Sequence, residues 1–249
     1  MIQRERQGSV AIVRVEHGKV NALDLELLQE LHGLFQQLQD EAETRAVVFT
    51  GSGRSFSAGV DLFRILEGGP DYLEPFMKAF RDALLAIAEH PQPVVAAING
   101  HAIAGGFLLA CACDWRVMAR GEGKVGIPEL RVGVPLPGLA WAIVSSAVPA
   151  PTLRRLVLQG DLLSAEEALS AGLVDELVEP ERLLERARAR AEQFGRVPPA
   201  TYRITRRQLR RPLREARESD DEAETLAVWS SPEVREAIRA YLDATLKRR

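Results

Sequence analysis

The chain is poor in cysteine, in aromatic residues and in net charge. Its 249 residues include two cysteines, 6% aromatic residues and a net charge of −3. Cys111 and Cys113 lie two positions apart in an apolar run, which is too close for an ordinary disulfide. No further ligands accompany them for a zinc ion. Both are therefore expected to be buried free thiols in a reducing compartment.

Long apolar runs are also lacking. No run reaches the roughly 20 residues that a membrane span requires, and the charged start MIQRERQGSVAIV has no apolar segment of a secretory signal. The 32 basic and 35 acidic residues nearly balance, so the chain has no general attraction to nucleic acid or to an anionic membrane. We expect a cytoplasmic protein with neither of these as a partner.

Several nucleotide and nucleophile motifs are absent. GSGRSF (51–56) lacks the third glycine of a dinucleotide loop, and the chain has no GxxxxGK[ST] sequence. Ser57 follows Ser55 rather than a glycine two positions earlier, so it does not match a nucleophile elbow. The four histidines, at 17, 32, 90 and 101, show no metal-ligand spacing. Metal, nucleotide and covalent serine chemistry are therefore not expected.

The 46% hydrophobic content is enough for a substantial core, and strand-like and helical patterns alternate in the first half of the chain. This alternation predicts an α/β fold with a sheet covered by helices. The predicted strands are 9–15, 46–50, 93–98, 115–119 and 173–178, and the predicted helices are 24–40, 72–90 and 105–114. Residues 125–138, with three prolines and three glycines, predict a loop that presents side chains.

The second half is mostly helical. Ser164 and Glu167 predict a capping box, and Ser231 with Pro232 predicts the start of a final helix. We divide the chain into a core, 1–195, and a C-terminal helical region, 196–249, with RVPPA (196–200) as the link.

Two runs of small residues each follow a predicted strand and open a predicted helix. They are RSFSAGVDL (54–62) and INGHAIAGGFLLA (98–110). Helix starts leave backbone N–H groups unpaired, and two such groups converging on one point form an oxyanion hole. Alternatively, Gly105 and Gly106 only let a helix pack tightly on the sheet. Spacing alone leaves both interpretations open.

The two runs resemble the signatures of the crotonase (enoyl-CoA hydratase/isomerase) superfamily. RSFSAGVDL resembles FxAGxDL, and NGHAIAGGFLLACACDWRVMA is similar to NGxAxGGGxxLxxxCDxxxA. Three further stretches resemble family segments: GIPELRVGVPLPG, LLSAEEALSAGLVDELVEPERL and NAL (21–23). The resemblance implies a crotonase-type spiral of ββα units whose C-terminal helices form a trimer or a dimer of trimers. It also implies an acyl-CoA thioester as substrate, with no separate cofactor because the substrate carries coenzyme A.

By position in these motifs, the two oxyanion-hole donors are the N–H groups of Val60 and Gly105. Val60 stands where alanine is commoner, which leaves a backbone donor intact. Asp61 is expected to cap the following helix, and Asp114 to be structural. Leu62, Phe63 and the helix over 71–90 are expected to wall the acyl pocket. The further substrate-binding residues that the resemblance implies are Ala22, Leu23, Ala58, Asp61, Leu62, Gly106, Leu108 and Pro128.

The chain departs from the hydratases of the family at one of two glutamate positions. Glu129 is present in IPEL, but Leu108 occupies the other position. Hydration requires a positioned water and two acid–base groups, so hydratase activity is expected to be weak or absent. Moving a double bond from C3 to C2 requires a single carboxyl that shuttles one proton, and the pattern resembles the Δ3,Δ2-enoyl-CoA isomerases. Glu129 is the expected catalytic residue.

Other interpretations remain at this point. The enolate chemistry also suits decarboxylation or C–C cleavage of an acyl-CoA, hydratase-like activity, or a non-catalytic acyl-CoA-binding protein. Glu129 itself is alternatively a carboxylate in a salt bridge with Arg131. Finally, a cluster of arginines is a candidate for binding the CoA phosphates: Arg203, Arg206, Arg207, Arg210, Arg211 and Arg214.

Overall fold

The computed structural model describes residues 1–211, 213 and 221–246, and in this part of the chain ten strands form two sheets. The strands are β1 Ile2–Gln7, β2 Val10–Val15, β3 Ala46–Gly51, β4 Ser55–Ser57, β5 Val94–Ile98, β6 His101–Ile103, β7 Trp115–Ala119, β8 Lys124–Gly126, β9 Leu162–Ser164 and β10 Glu176–Val178. The helices are α1 Leu25–Gln39, α2 Leu62–Ala88, α3 Gly105–Ala112, α4 Glu129–Val132, α5 Gly138–Ala147, α6 Ala150–Gln159, α7 Ala165–Ser170, α8 Leu183–Gly195, α9 Pro199–Leu209, α10 Asp221–Ser230 and α11 Pro232–Leu246.

Successive ββα units build the two sheets together. The larger sheet has the order β1-β2-β3-β5-β7-β10, and the smaller has the order β4-β6-β8-β9. Strands β3, β5 and β7 are parallel neighbours in the larger sheet, and β4, β6 and β8 are parallel neighbours in the smaller one. The units that begin with β3, β5 and β7 thus each give one strand to each sheet before their helix, whereas β1 and β2 both join the larger sheet. The segments that follow β4 and β6 consequently lie side by side.

Helices cover both faces of the larger sheet. Apolar residues of α1, α2, α3 and α5 pack in one core cluster on one face, and Leu183, Ala187 and Ala191 of α8 pack against the other. The strands β3 and β5 are buried throughout, which explains why they are continuous apolar runs in the sequence. No helix of the described ranges is both long and apolar enough to cross a membrane.

Most predicted elements are present with small shifts in their bounds, but the three-residue strands β4, β6, β8 and β9 were not predicted, and neither was the longer strand β1. Its sequence, IQRERQ, is almost entirely exposed and carries no apolar alternation. It forms because β2 has a free edge, to which it pairs antiparallel from Ile2 opposite Val15 to Gln7 opposite Val10. Edge pairing of this kind depends on the backbone of the neighbour rather than on the strand's own pattern.

Two further predictions need correction. The predicted strand 173–178 is limited to Glu176–Val178, and the predicted loop 125–138 contains the end of β8 and the short helix α4. Gly133, with φ of 90°, ends α4, and its N–H donates to the carbonyl of Glu129 at 2.9 Å. A four-residue helix is too short for an apolar period to reveal it in a sequence.

Helix α2 is longer than predicted because two helical segments join at a kink. Gly69 has φ of 59° and ψ of −155°, followed by Pro70, so the chain bends at this point. The Asp61 side chain accepts hydrogen bonds from the N–H groups of Phe63 and Arg64, each at 3.1 Å. Asp61 is therefore a helix cap, as predicted. The predicted capping box of Ser164 and Glu167 is also confirmed.

Two members of the arginine cluster, Arg206 and Arg210, are structural, which corrects the prediction that these two bind phosphate. Arg206 is 7% exposed, and its Nε lies 2.5 Å from Oδ1 of Asp114. Arg210 contacts the same oxygen at 3.0 Å. The two guanidinium groups also donate to carbonyl oxygens at the C-terminal end of α2 and just beyond it, those of Ile87, Ala88 and His90.

These contacts tie α9 to the core and satisfy carbonyls that a helix end leaves unpaired. Arg206 and Arg210 are consequently not available to a phosphate. Arg203 and Arg207 are exposed, and Arg214 lies outside the described residues. Asp114 is structural as predicted, because it also accepts from the N–H of Val94 at 2.8 Å. The two cysteines are free and buried, also as predicted.

Candidate active site

The first small-residue run forms a turn that is bound to the segment before α1. The N–H of Leu23 donates to the carbonyl of Gly59 at 2.8 Å, and the N–H of Asp61 donates to the carbonyl of Leu23 at 2.9 Å. Because successive residues of an extended segment point their N–H groups in opposite directions, the N–H of Val60 faces away from Leu23. Within the described residues it has no protein acceptor.

Two buried polar side chains hold this turn in place. Ser57 Oγ donates to the carbonyl of Asn21 at 2.7 Å and accepts from the N–H of Gly59 at 3.2 Å. Asn21 Nδ2 donates to the carbonyl of Ser55 at 2.8 Å, and Asn21 has a left-handed φ of 51°, which asparagine tolerates better than most residues. Sequence reasoning considered Ser57 only as a nucleophile and missed this role.

The second run forms a strained turn before α3. Ala104 has φ of 53° and ψ of −130°, a conformation that residues with a Cβ rarely adopt. Its N–H donates to the carbonyl of Gly126 at 2.9 Å, which holds the turn against β8. The N–H of Gly105 comes next, at the start of the helix, and it too lacks a protein acceptor in the described part of the chain.

The two turns are in direct contact. A methyl group placed on Gly59 would lie 2.8 Å from Cβ of Ala104 and 3.3 Å from the nitrogen of Gly105. The left-handed φ of 88° at Gly59 also favours glycine. The free N–H groups of Val60 and Gly105 therefore lie on neighbouring segments.

Gly106 serves packing instead. A Cβ at this position would lie 2.3 Å from the carbonyl oxygen of Ser57, so α3 approaches β4 as closely as only glycine allows. The alternative reading of the double glycine, a tight helix-to-sheet contact, thus applies to Gly106.

Both turns border a small cavity of about 90 Å³. Of the predicted site residues, seven line it: Ala58, Val60, Leu62, Gly105, Leu108, Pro128 and Glu129. Leu23 and Gly106 lie behind the wall, Asp61 caps α2, and Ala22 is not among the lining residues. Phe63 is 48% exposed and does not line the cavity, which corrects the prediction for that residue.

The cavity wall also includes side chains from distant parts of the chain. Phe76, Met77 and Phe80 come from the α2 segment that was predicted to wall the acyl pocket. Trp229 and Tyr241 come from α10 and α11, and Trp229 Nε1 donates to the carbonyl of Pro135 at 3.0 Å. Tyr241 was predicted only as part of an apolar helix stripe, because such a stripe does not reveal which surface it covers.

Glu129 is the one carboxyl among the described residues that line the cavity. It is 7% exposed, and its Oε2 has no hydrogen-bond partner. Arg131 does not pair with it, since Arg131 contacts Asp161 at 2.6 Å. Burial raises the pKa of Glu129 from 4.5 to about 7. Leu108, 1% exposed, is an apolar side chain on the same wall.

The described residues contain no group of three or more His, Cys, Asp or Glu side chains that could hold a metal ion. The chemistry available to the site is therefore one buried acid–base group, two unpaired backbone donors and an apolar wall. Such a set can remove and return a proton beside a carbonyl whose oxygen becomes negatively charged.

Ala104→Gly is expected to stabilise the protein by about 1 kcal/mol. The backbone conformation of Ala104 costs about 1–3 kcal/mol for a residue with a Cβ, and part of the relief is lost to the greater freedom of glycine in the unfolded chain. Chemical denaturation measures the difference. Ala102→Gly, in the regular strand β6, is the matched control and should lose stability; a loss at both positions would contradict strain at Ala104.

Glu129 is expected to make the folded state less stable as pH rises. Its pKa is about 7 in the folded protein against 4.5 ordinarily, so the unfolded chain releases the proton first. The Glu129 carboxyl therefore does not destabilise the folded state below about pH 4.5. Above that pH its destabilising effect grows, and it levels off once the pH passes about 7. At about 1.4 kcal/mol per pKa unit, ionisation costs folding roughly 3 kcal/mol.

Glu129→Gln removes this dependence. The unfolding free energy of the variant, relative to the unchanged protein, should rise by about 3 kcal/mol between roughly pH 4 and pH 8. Denaturant titrations of both proteins at the two pH values measure it. A difference that does not change with pH would show that Glu129 ionises freely in the folded state.

Known proteins that resemble this chain belong to one family. The sequence profile of the family described as Enoyl-CoA hydratase/isomerase matches residues 5–246. A putative enoyl-CoA hydratase of Thermus thermophilus is 35% identical over 213 residues, covering 84% of this chain and 83% of the relative. The mitochondrial enoyl-CoA delta isomerase 1 of Rattus norvegicus is 26% identical over 249 residues, covering 98% of this chain and 86% of the relative.

Among solved structures, the human mitochondrial Δ3-Δ2-enoyl-CoA isomerase superposes with a TM-score of 0.94 at 25% identity. The match covers 100% of this chain and 99% of the human one. The crotonase-type α/β fold that the sequence motifs predicted is thereby confirmed. The match of the family profile to nearly the whole chain shows that this protein belongs to the enoyl-CoA hydratase/isomerase family, the crotonase superfamily of acyl-CoA enzymes.

Proposed function

We propose that the protein is an enoyl-CoA isomerase that moves a double bond from C3 to C2 of an acyl-CoA thioester. One observation carries this proposal: Glu129 has the single carboxyl among the described residues that line the cavity. Leu108, on the same wall, occupies the position where the family's hydratases have a second glutamate. An isomerisation needs one group that takes a proton and gives it back, whereas hydration also needs a held water.

The reaction starts with the thioester oxygen accepting hydrogen bonds from the N–H groups of Val60 and Gly105. The ionised Glu129 removes a proton from C2, and the electron pair moves into the thioester, whose oxygen becomes an enolate oxyanion. Backbone donors fixed in advance stabilise that charge without reorganisation. The protonated Glu129 then delivers its proton to C4, and the double bond forms between C2 and C3.

The pKa of about 7 that burial gives Glu129 suits both halves of this transfer. A group whose pKa lies near the working pH is a competent base and, once protonated, a competent acid. The apolar surroundings also exclude water that would compete for the proton. No separate cofactor takes part, because the thioester is part of the substrate.

Hydration of a 2-enoyl-CoA is the second candidate. It is favoured by the relatives named as hydratases, such as those of Thermus thermophilus and Bacillus subtilis, at 35% and 34% identity. We propose that this activity is weak, since Leu108 can neither accept a proton nor hold a water. Decarboxylation and C–C cleavage would use the same oxyanion hole, but no feature of the cavity favours them over isomerisation.

Product analysis separates the two candidates. The protein is incubated with a 3-enoyl-CoA and, separately, with a 2-enoyl-CoA, and the products are separated by chromatography. Isomerisation yields the 2-enoyl-CoA from the first substrate and little hydroxyacyl-CoA from the second. Rapid hydration of the second substrate without migration of the double bond in the first would reverse the assignment.

A further inference from the structure

A second apolar cavity adjoins the candidate active site. It has a volume of about 340 Å³, against about 90 Å³ for the site cavity. Three residues line both cavities: Met77, Phe80 and Pro137. The two cavities therefore share part of their walls.

The second cavity has an apolar floor and a charged rim. Helix α2 contributes Leu84 to the floor, α5 contributes Leu139 and Ala140, and α10 contributes Leu226, while the exposed Ala223 of α10 lies at the rim. At the rim, Arg81 forms an ion pair with Glu222 at 2.9 Å, and both side chains are partly exposed. An apolar floor with a solvated rim suits a hydrocarbon chain, since its buried part gains from leaving water.

Of the three shared residues, Met77 is the one able to move. Phe80 is buried and stacks on Phe76, with ring centroids 6.2 Å apart and ring planes 11° apart. Pro137 has a rigid ring. Met77 is partly buried, and its unbranched thioether chain has three rotatable bonds that adapt to irregular spaces.

We propose that Met77 is a chain-length gate between the two cavities. A short acyl chain ends in the site cavity, whereas a longer chain displaces the Met77 side chain and extends over Phe80 into the second cavity. This inference deepens the proposed function, on which it rests: it identifies medium-length and longer straight-chain acyl-CoA thioesters as ligands that this protein binds more tightly than short ones.

Binding of saturated acyl-CoA thioesters tests the gate without relying on turnover. Isothermal titration gives dissociation constants for hexanoyl-CoA and decanoyl-CoA. Because a buried methylene is worth up to about fourfold in affinity, the four additional methylenes of decanoyl-CoA should improve binding by about tenfold or more. A ratio near one in the unchanged protein would overturn the inference.

Three variants test the path of the longer chain. Ala223→Trp places an indole at an exposed position on the rim of the second cavity, and it should reduce the hexanoyl-to-decanoyl ratio of dissociation constants by about tenfold. Ala227→Trp makes the same change at an exposed position of α10 that lines neither cavity, and it should keep the ratio. Met77→Ala removes the gate and should raise the ratio. Equal ratios in all four proteins would contradict the proposal.

Turnover of a short 3-enoyl-CoA is measured in parallel. If double-bond migration is absent while the preference for decanoyl-CoA is present and is lost in Ala223→Trp, the isomerase assignment fails and the gate stands. If migration is present but Ala223→Trp binds both esters as the unchanged protein does, the gate fails and the isomerase assignment stands.

Discussion

Glu129→Gln is expected to lower kcat for a 3-enoyl-CoA by about 10²–10⁴, the usual contribution of a positioned acid–base group. The amide keeps the size and shape of the side chain but cannot take the proton from C2. The KM of the Glu129→Gln variant should change little, because the backbone N–H groups of Val60 and Gly105 remain in place. Steady-state kinetics with purified substrate measure both constants.

The control for this variant is Glu122→Gln, which makes the same chemical change at an exposed carboxyl that pairs with Arg54 on the surface. It should retain the full rate. The pH dependence provides a second check: the kcat/KM of the unchanged protein should fall below about pH 7 as Glu129 becomes protonated. Near-normal turnover by Glu129→Gln would remove this residue from the mechanism.

Arg206→Met is expected to reduce the unfolding free energy by about 1–3 kcal/mol, the cost of leaving buried acceptors unsatisfied, since Asp114 keeps its contact with Arg210. The guanidinium of Arg206 contacts Asp114 and the carbonyls of Ile87 and His90. Methionine fills a similar volume but leaves these acceptors with fewer donors. Denaturant unfolding followed by circular dichroism measures the loss.

Arg207→Met is the matched control, since Arg207 is the exposed neighbour on the same helix. Its stability should change by no more than about 0.5 kcal/mol. The earlier interpretation of the arginine cluster as a phosphate site makes the opposite prediction: a higher KM for CoA esters in Arg206→Met, with stability unchanged. A result of that kind would support Arg206 as a residue that binds the CoA phosphates.

The candidate site illustrates how far local sequence information extends. The turn at 57–61 and the turn at 104–106 were located from their small residues, and the cap at Asp61 was predicted from its place before a helix. Each of these features depends on a few neighbouring residues, so a short stretch of sequence is enough to predict it. The strained conformation of Ala104 had no such signal, since alanine gives no indication of a left-handed backbone.

The C-terminal region shows the opposite case. Its helices were predicted, but not that Trp229 and Tyr241 would complete the wall of a cavity around Glu129. An apolar stripe indicates that one face of a helix is buried, but it does not indicate which part of the chain covers that face. The role of Arg206 was predicted wrongly for a related reason. Its ion-pair partner, Asp114, is 92 residues away along the chain, so the local sequence around Arg206 does not distinguish it from a solvated arginine.

The sequence by itself determined the alternation of strands and helices and the two small-residue turns that precede helix starts, which follow from residue type and spacing. Its resemblance to the family implied the ββα units and the presence of one acid where the family's hydratases have two. Only the tertiary structure decided that the turns touch, that burial raises the pKa of Glu129, and that Met77 lines two cavities. Those properties arise from contacts between segments far apart in the chain, whose distances and shared desolvation no local pattern contains.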